Sequence, residues 1–138
     1  MDAFCNQQPT TYYQQQIILS MNKFRFLRWP VYKEAKQLTL DVLKLIKKLP
    51  KEYRFELGSQ LIRAAFSVVL NIAEGGGRIS DKELNRFLDI ALGSVYETLA
   101  ATDTLKEAGF ISDKDFENIL VRVNNISDQL GGFKKRLG

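Results

Sequence analysis

The chain has 138 residues, a length typical of one domain. Hydrophobic residues make up 45% of it and charged residues 26%, which is the composition of a globular protein rather than a disordered one. It contains no histidine and a single cysteine. Ser–His and Cys–His catalytic triads, zinc sites built from His or Cys clusters, and an internal disulfide are therefore excluded.

The sequence also argues against a membrane or secreted protein. No apolar stretch approaches the roughly 18 residues that cross a membrane, and the N-terminus lacks the charged and apolar segments of a secretory signal. A lone cysteine fits a reducing compartment. We therefore expect a cytoplasmic protein with no metal or cofactor and no enzymatic activity.

Positive and negative charges are concentrated in different parts of the chain. The total is 20 Lys and Arg against 16 Asp and Glu, a net charge of +4. Residues 23–54, which we call the basic limb, hold ten basic and three acidic residues, whereas residues 81–117 hold four basic and nine acidic residues. The chain ends on the basic run Lys134, Lys135 and Arg136. This distribution indicates a polyanionic partner.

Residues 1–22 differ in composition from the rest. They are rich in Gln and Thr, carry one charge at Asp2, and show no helical period. We therefore expect a disordered leader, followed by one helical domain over residues 23–138. Met21 lies where the composition changes, and we expect natural translation to begin there, which N-terminal sequencing of the native protein tests.

Four later segments have apolar residues every three or four positions, the spacing of amphipathic helices. The first is predicted to end at Pro50 and the second at Gly75-Gly76-Gly77, because proline and glycine end helices. The Ser80 hydroxyl and the Glu83 carboxylate are predicted to form a capping box for the third helix, and Ser112 to cap the fourth. The four apolar seams are Val31, Ala35, Leu38, Val42, Leu45 and Leu49; Leu57, Leu61, Ala64, Ala65, Val68 and Ile72; Leu84, Leu88, Ala91, Val95, Thr98, Thr102 and Leu105; and Phe116, Ile119, Val123, Ile126, Leu130, Phe133 and Leu137.

The connections between these helices have about two to eight residues, and short connections make consecutive helices neighbours. No useful stretch alternates apolar and polar residues as a strand does. The sequence therefore predicts an all-α fold, an antiparallel up-down-up-down four-helix bundle.

The loop Glu74-Gly75-Gly76-Gly77-Arg78 is the densest group of unusual residues. Glycine amides before a helix N-terminus, the helix dipole and Arg78 could together bind a phosphate. The segment lacks the Lys-Ser/Thr ending of a nucleotide-binding P-loop and follows no strand. We therefore favour a structural role for the glycines, with Arg78 as a contact to backbone phosphate.

Asn71 and Glu74 are polar residues at the end of an otherwise apolar helix, where unpaired polar groups cost free energy. We expect hydrogen bonds to Asn71 and an ion pair of Glu74 with Arg63 or Arg78, since catalysis would need a second carboxylate, a metal or a histidine. Gly93 would let another backbone approach closely, either from this chain or from a neighbouring subunit. The structural-motif residues are therefore Asn71, Glu74, Gly75, Gly77, Ser80, Glu83 and Gly93.

Aromatic residues alternate with basic ones at the start of the basic limb, at Phe24, Phe26, Trp29 and Tyr32. They could form a stacking surface for nucleic acid, or they could pack on the bundle or a neighbouring protomer. The lysines that follow have few acids among them, which favours phosphate contacts. The candidate nucleic-acid contacts are Arg25, Arg28, Lys36, Lys44, Lys47, Lys48, Lys51, Arg78, Lys134, Lys135 and Arg136.

Three stretches of the sequence resemble a known family: residues 59–67 (SQLIRAAFS), 71–78 (NIAEGGGR) and 86–97 (RFLDIALGSVYE). In this order they are similar to the bacterial four-helix-bundle proteins encoded in 23S rRNA intervening sequences. Those proteins are related to the accessory variability protein of diversity-generating retroelements. The resemblance extends over about residues 24–137 and leaves the leader outside.

The resemblance implies a non-enzymatic homopentameric ring of antiparallel four-helix bundles. Such a ring has a basic surface and binds RNA or DNA and, in the retroelement branch, a reverse transcriptase. The family often has a proline after Ser67, where this chain has Val68–Leu70, and a basic residue before Arg63, where this chain has Ile62. The matched positions are Asn71, Glu74, Gly75, Gly77 and Arg78 in the turn and Arg86, Gly93, Ser94 and Glu97 in the third helix.

The function that these observations favour is binding of nucleic acid, most simply structured RNA, through the backbone phosphates. Two alternatives stay open. One is a protein-interaction scaffold, in which the basic limb of one subunit meets the acidic third helix of the next and closes a ring. The other is an accessory subunit of a reverse transcriptase.

Overall fold

The computed structural model describes residues 11–138. These residues form an all-α structure, with no strand among them. The all-α class predicted from the sequence is therefore confirmed. None of the helices in this part of the chain has an apolar stretch long enough to cross a membrane. The helices are α1 (Tyr12–Lys23), α2 (Pro30–Ile46), α3 (Lys51–Gly76), α4 (Asp81–Glu107) and α5 (Asp113–Leu137), with a 3-10 turn at Arg25–Arg28.

Helices α2 to α5 pack as a helical bundle around one hydrophobic core. Helix α3 packs against α2 and α4, and α5 packs against the same two helices from the other side. The predicted apolar seams supply this core, with one exception: Leu57 is exposed. Phe116, Phe133 and Leu137 are half-buried, because they lie in the first and last turns of α5.

Contacts between helix termini define two ends of the bundle. At the first, which we call the α2–α3 end, a Cβ on Gly58 would lie 2.9 Å from Ile46 Cγ2, so the end of α2 meets the start of α3. At the opposite end, the Trp29 and Phe133 rings meet edge to face with centroids 4.8 Å apart. The last turns of α5 therefore lie beside the first turn of α2.

Helix α3 ends within the three glycines, as predicted, but two of them are part of the helix. Gly75 and Gly76 lie inside its last turn, and only Gly77 follows it. None of the three has a positive φ. They serve close packing instead, because a Cβ on Gly75 would lie 2.9 Å from Leu84 Cδ1 and one on Gly76 would lie 2.9 Å from Phe26 Cβ.

The caps of α4 and α5 are formed differently. Ser80 Oγ accepts from the Glu83 amide at 3.1 Å, as predicted. The predicted return bond, from the Ser80 amide to the Glu83 carboxylate, is wrong. The Glu83 carboxylate accepts from Arg86 at 3.2 Å instead. At α5 the box is complete: the Asp115 amide donates to Ser112 Oγ and the Asp115 carboxylate accepts from the Ser112 amide.

Residues 12–22 of the predicted leader, together with Lys23, form helix α1. Thr11 Oγ1 accepts from the Gln14 amide at 3.1 Å, and the Gln14 side chain accepts from the Thr11 amide at 2.8 Å. This capping box starts a helix in a segment whose Gln-rich composition obscures the signal. Helix α1 buries none of its residues. The rest of the predicted leader, residues 1–10, lies outside the described residues.

Candidate nucleic-acid interface

The predicted nucleic-acid contacts lie at both ends of the bundle rather than on one surface. Four of them, Lys44, Lys47, Lys48 and Lys51, are at the α2–α3 end, and Lys36 is in the middle of α2. Helix α3 has 26 residues and spans about 39 Å at 1.5 Å per residue, so most of the bundle length separates the two groups. The other six, at the opposite end, are Arg25, Arg28, Arg78, Lys134, Lys135 and Arg136.

Three of the lysines at the α2–α3 end are exposed and form no ion pair within residues 11–138: Lys44, Lys47 and Lys51. The fourth, Lys48, donates to Asp115 Oδ1 at 2.6 Å. This hydrogen bond lowers the pKa of the Asp115 carboxyl, partial burial opposes it, and hydrogen bonds with Ser112 lower it further. Three positive charges are therefore available here to a partner.

At the opposite end, three of the six predicted contacts have partners inside the molecule, and Arg25 and Arg78 are two of them. Arg25 Nε donates to the Gly76 carbonyl at 3.0 Å, and its terminal nitrogen donates to the Arg78 carbonyl at 3.4 Å. Arg25 thus fastens the 3-10 turn to the end of α3. Arg78 pairs with Glu74 at 2.9 Å, one of the two partners expected from the sequence.

The other four predicted contacts at this end include both paired and unpaired charges. Lys134 donates to Asn85 Oδ1 at 2.8 Å and pairs with Asp89. Arg28 and Lys135 are exposed without an ion pair in the described chain, and Arg136 lies 5.6 Å from the Phe133 ring. Only three of the six residues at this end therefore keep an uncommitted charge.

The geometry favours the packing alternative for three of the four aromatic residues. The Phe26 and Tyr32 rings meet edge to face with centroids 5.0 Å apart, and Trp29 packs on Phe133 as described above. All three are half-buried against the bundle. Phe24 is exposed. Lys36 lies 4.8 Å from the Tyr32 ring, so an exposed charge sits above this aromatic group.

The glycine loop does not offer free amides to a phosphate. The Gly77 amide donates to the Glu74 carbonyl at 3.1 Å, and the Arg78 amide donates to the Gly75 carbonyl at 3.0 Å. The first turn of α4 carries Asp81, whose negative charge disfavours an anion there. The structural role predicted for the glycines is the one that this geometry supports.

Asn71 belongs to a polar group between α3 and α4. Its side-chain amide donates to the Ser67 carbonyl at 2.8 Å and to Ser67 Oγ at 3.0 Å, and Ser67 Oγ lies 2.9 Å from Ser94 Oγ. Hydrogen bonds thus satisfy Asn71, as expected. A Cβ on the neighbouring Gly93 would meet nothing within 4 Å, so no part of the described chain makes the close approach expected there.

One charged group was not anticipated from the sequence. Arg122 of α5 donates to Glu34 at 2.8 Å and to Asp41 at 3.0 Å on α2. The bond to Glu34 raises the pKa of Arg122, against the opposing effect of burial. Glu34 and Asp41, two of the three acids of the basic limb, lie seven residues apart and therefore on one side of α2. This spacing could have indicated a shared partner.

Beside Arg122, an open groove of about 570 Å³ lies between α2 and α5. Its acids Asp41 and Asp115 are already paired with bases, so the groove contains no free carboxylate for acid–base chemistry. Residues 11–138 also contain no cluster of His, Cys, Asp or Glu that could hold a metal ion. The lining of the groove is therefore a mixture of paired acidic and basic side chains.

Comparison with known proteins gives a family and a related fold. The family model described as 23S rRNA-intervening sequence protein matches residues 28–132. A crystal structure of a protein with unknown function from the S23 ribosomal protein family of Bacteroides thetaiotaomicron VPI-5482 is similar, with a TM-score of 0.68 and 24% identity. The similarity covers 72% of this chain and 94% of that chain, and at this identity it shows a shared fold. A search of curated proteins found no match.

Proposed function

The chain belongs to the 23S rRNA-intervening sequence protein family, and we propose that it is a non-enzymatic helix bundle that binds structured RNA through the backbone phosphates. The observation that carries this proposal is the group of exposed lysines Lys44, Lys47 and Lys51 at the α2–α3 end. They form no ion pair within the described chain. Lysines without an acidic partner can replace the counterions of a phosphate backbone.

Binding of this kind would have little sequence specificity, because phosphate contacts carry no information about the bases. The half-buried positions of Phe26, Trp29 and Tyr32 support this view, since none of them offers a fully exposed ring for base stacking. Shape and charge density would therefore select the nucleic acid. A folded RNA has a defined shape and a higher density of phosphates than an extended single strand.

We also propose that the bundle is an antiparallel four-helix bundle assembled into a homopentameric ring. The end-to-end contacts between α2 and α3 and between α2 and α5 support the antiparallel arrangement. The pentamer rests on the resemblance of the sequence motifs. A partner such as a reverse transcriptase stays a prediction, because no observation on residues 11–138 bears on it.

A titration against salt tests the RNA proposal. The full chain is titrated with a structured RNA and a matched DNA duplex, and the triple variant K44Q/K47Q/K51Q is compared with the wild type. Each lost phosphate contact should reduce the slope of log K against log salt by about one, so the triple variant should lose up to about three units of slope. Its RNA affinity should fall at least tenfold at low salt.

The matched control is K23Q/K33Q/K82Q, which removes the same charge from three exposed lysines toward the opposite end of the bundle, none of them a predicted contact. Its affinity should stay within about threefold of wild type. Equal losses in both triple variants would mean that overall charge, rather than the α2–α3 end, governs binding. Helicity measured by circular dichroism shows that both variants are folded.

A second candidate is a protein-interaction scaffold, which the exposed acids of α4 favour. Asp103 and Glu107 lie on the outside of the bundle together with the uncharged Tyr96. The α2–α3 end of one subunit could bind this face of the next, which would close a ring through contacts between unlike surfaces. Dissociation of the assembly in high salt, together with absence of RNA binding, would identify this candidate.

A further inference from the structure

Helix α1 carries an apolar stripe that the rest of the described chain leaves uncovered. Tyr13, Ile17 and Met21 lie four residues apart and therefore on one side of the helix, and Phe24 continues the line at its C-terminal cap. Their exposed fractions run from 42% to 74%. Among residues 11–138, α1 packs against only the 3-10 turn Arg25–Arg28.

Such a helix needs a surface to bind. A 12-residue helix is marginally stable on its own in water, even with a capping box. Residues 11–22 carry no charge, so burying this stripe would remove no charged group from water. The partner surface should therefore be apolar and about as long as three helical turns.

Exposed apolar side chains on the outside of α2 and α3 offer such a surface. Leu40 and Leu43 on α2 and Phe66 and Leu70 on α3 are each 45% to 51% exposed. Within each helix the two residues are three or four positions apart, so they point the same way. These four residues are called the α2–α3 face below.

The register of α2 against α3 brings the four residues together. Ile46 lies beside Gly58, and Trp29 lies beside Gly76, where a Cβ would be 3.4 Å away. Counting from these contacts at 1.5 Å per residue puts Leu40 and Leu43 within about 8 Å of Phe66 along the bundle axis. Phe66 therefore lies near the level of the two leucines, and Leu70 lies about one turn further along α3.

The α1 of the same chain does not reach this patch. Arg25 binds the carbonyls of Gly76 and Arg78, and Phe26 and Trp29 pack on the bundle, so the 3-10 turn before α2 is fixed. From this turn, α1 contacts neither α2 nor α3 of its own chain. A second copy has no such restriction.

The charged residues around the α2–α3 face favour the uncharged helix α1 over a basic segment as the partner of this face. Lys36 and Lys47 each lie four residues from a leucine of the α2–α3 face, and Arg63 lies three residues from Phe66, all exposed. These charges would repel a basic helix. An uncharged helix with Gln side chains beside its stripe meets no such repulsion.

We propose that α1 docks on a second copy of this chain, with its Tyr13–Ile17–Met21 stripe covering the α2–α3 face of the neighbour. The family match begins at residue 28, so α1 lies before the region that the family model covers. The proposal rests on the assembly part of the proposed function, and its test uses no RNA. In this arrangement α1 is an arm that each subunit extends onto its neighbour.

The test is the molar mass of the full chain over a range of concentrations, measured by sedimentation or light scattering. The double variant I17E/M21E places charge in the stripe and should raise the concentration of half-association at least tenfold. The control Q15E/L19E adds the same two charges on the opposite side of α1 and should stay within twofold of wild type. Because all four residues are exposed, none of these changes disturbs the bundle core.

A second pair of variants tests the receiving surface. F66E should weaken association as I17E/M21E does, whereas L120E, at an apolar position of α5 that is 41% exposed against 47% for Phe66, should not. Hydrogen exchange of the α1 amides should show protection that is lost on dilution. Protection that does not depend on concentration would mean that α1 docks on its own chain and would overturn the proposal.

Two further results separate this proposal from the proposed function. Wild-type association that is unchanged in I17E/M21E overturns the α1 contact alone. A wild-type chain that stays monomeric overturns both the α1 contact and the proposed ring, while RNA titration of the same protein still tests nucleic-acid binding. A native protein that begins at Met21 lacks most of α1 and also overturns the proposal.

Discussion

Lys48 donates a hydrogen bond to the carboxylate of Asp115 at 2.6 Å and so joins the end of α2 to the first turn of α5. The other carboxylate oxygen accepts from the Ser112 amide and caps the same helix. One aspartate therefore completes a helix cap and an interhelical ion pair. For the same reason Lys48 is less available to a phosphate than the three exposed lysines around it.

The Asp115 carboxylate should make stability depend on pH. Its pKa is lowered in the folded state, chiefly by Lys48, so its contribution is present above the pKa of an unfolded aspartate and is lost as pH falls through the lower folded value. D115N should lower the free energy of unfolding by about 0.5–1 kcal/mol near pH 7. The difference from wild type should close below about pH 4.

Chemical denaturation at several pH values measures this difference. The control is D113N, because Asp113 lies in the same turn of α5, is exposed, and makes no ion pair in the described chain. It should change the unfolding free energy less than D115N does. A wild-type advantage over D115N that does not shrink at all as pH falls below 3.8 would show that the ion pair is not its source.

The glycines of α3 should respond oppositely to the exposed glycine of α4. G75A places a methyl group 2.9 Å from Leu84 Cδ1 and 3.0 Å from Phe87 Cβ, and such crowding costs about 1–3 kcal/mol. G93A meets nothing within 4 Å and gains helix propensity, so it should stabilise the monomeric bundle by up to about 1 kcal/mol.

Thermal unfolding of the two variants gives the sign of each change. A stabilising G75A would mean that Leu84 and Phe87 move aside at little cost. A destabilising G93A would mean that another chain occupies the space beside Gly93. In that case association, measured in parallel, should fall with it.

Arg122 should be the most sensitive charged residue of the bundle. R122A leaves the partly buried carboxylates of Glu34 and Asp41 without their shared partner and should cost about 1–3 kcal/mol. R122K keeps the charge but cannot donate to both acids with the same geometry, so its loss should be intermediate. Denaturant unfolding measures both. A loss of less than about 0.5 kcal/mol in R122A would make the pair an ordinary surface contact.

The helices could be predicted from the sequence because their signals are local. Apolar residues such as Leu38, Ile72 and Leu88 recur at helical spacing and are buried where the spacing places them. The hydroxyl caps of Ser80 and Ser112 are short-range patterns as well. Glycine at position 75 was harder to interpret, because the reason for it lies in α4 rather than in its own loop.

The candidate site could be predicted only as a set of residues. The basic limb is continuous in sequence, but its residues follow helix α2 along the length of the bundle. Arg28 and Lys51 therefore lie at opposite ends. Arg25 donates to carbonyls of α3 more than fifty residues away in the sequence. No local pattern shows such a partner, because tertiary packing decides which charges are used internally.

The salt dependence of RNA binding by the full wild-type chain tests the central claim most directly. The three exposed lysines of the α2–α3 end predict that log K for a structured RNA falls by about three or more units per unit of log salt. They also predict that K44Q/K47Q/K51Q flattens this slope. No measurable binding at about 50 mM salt, or a slope that the triple substitution leaves unchanged, would contradict the account.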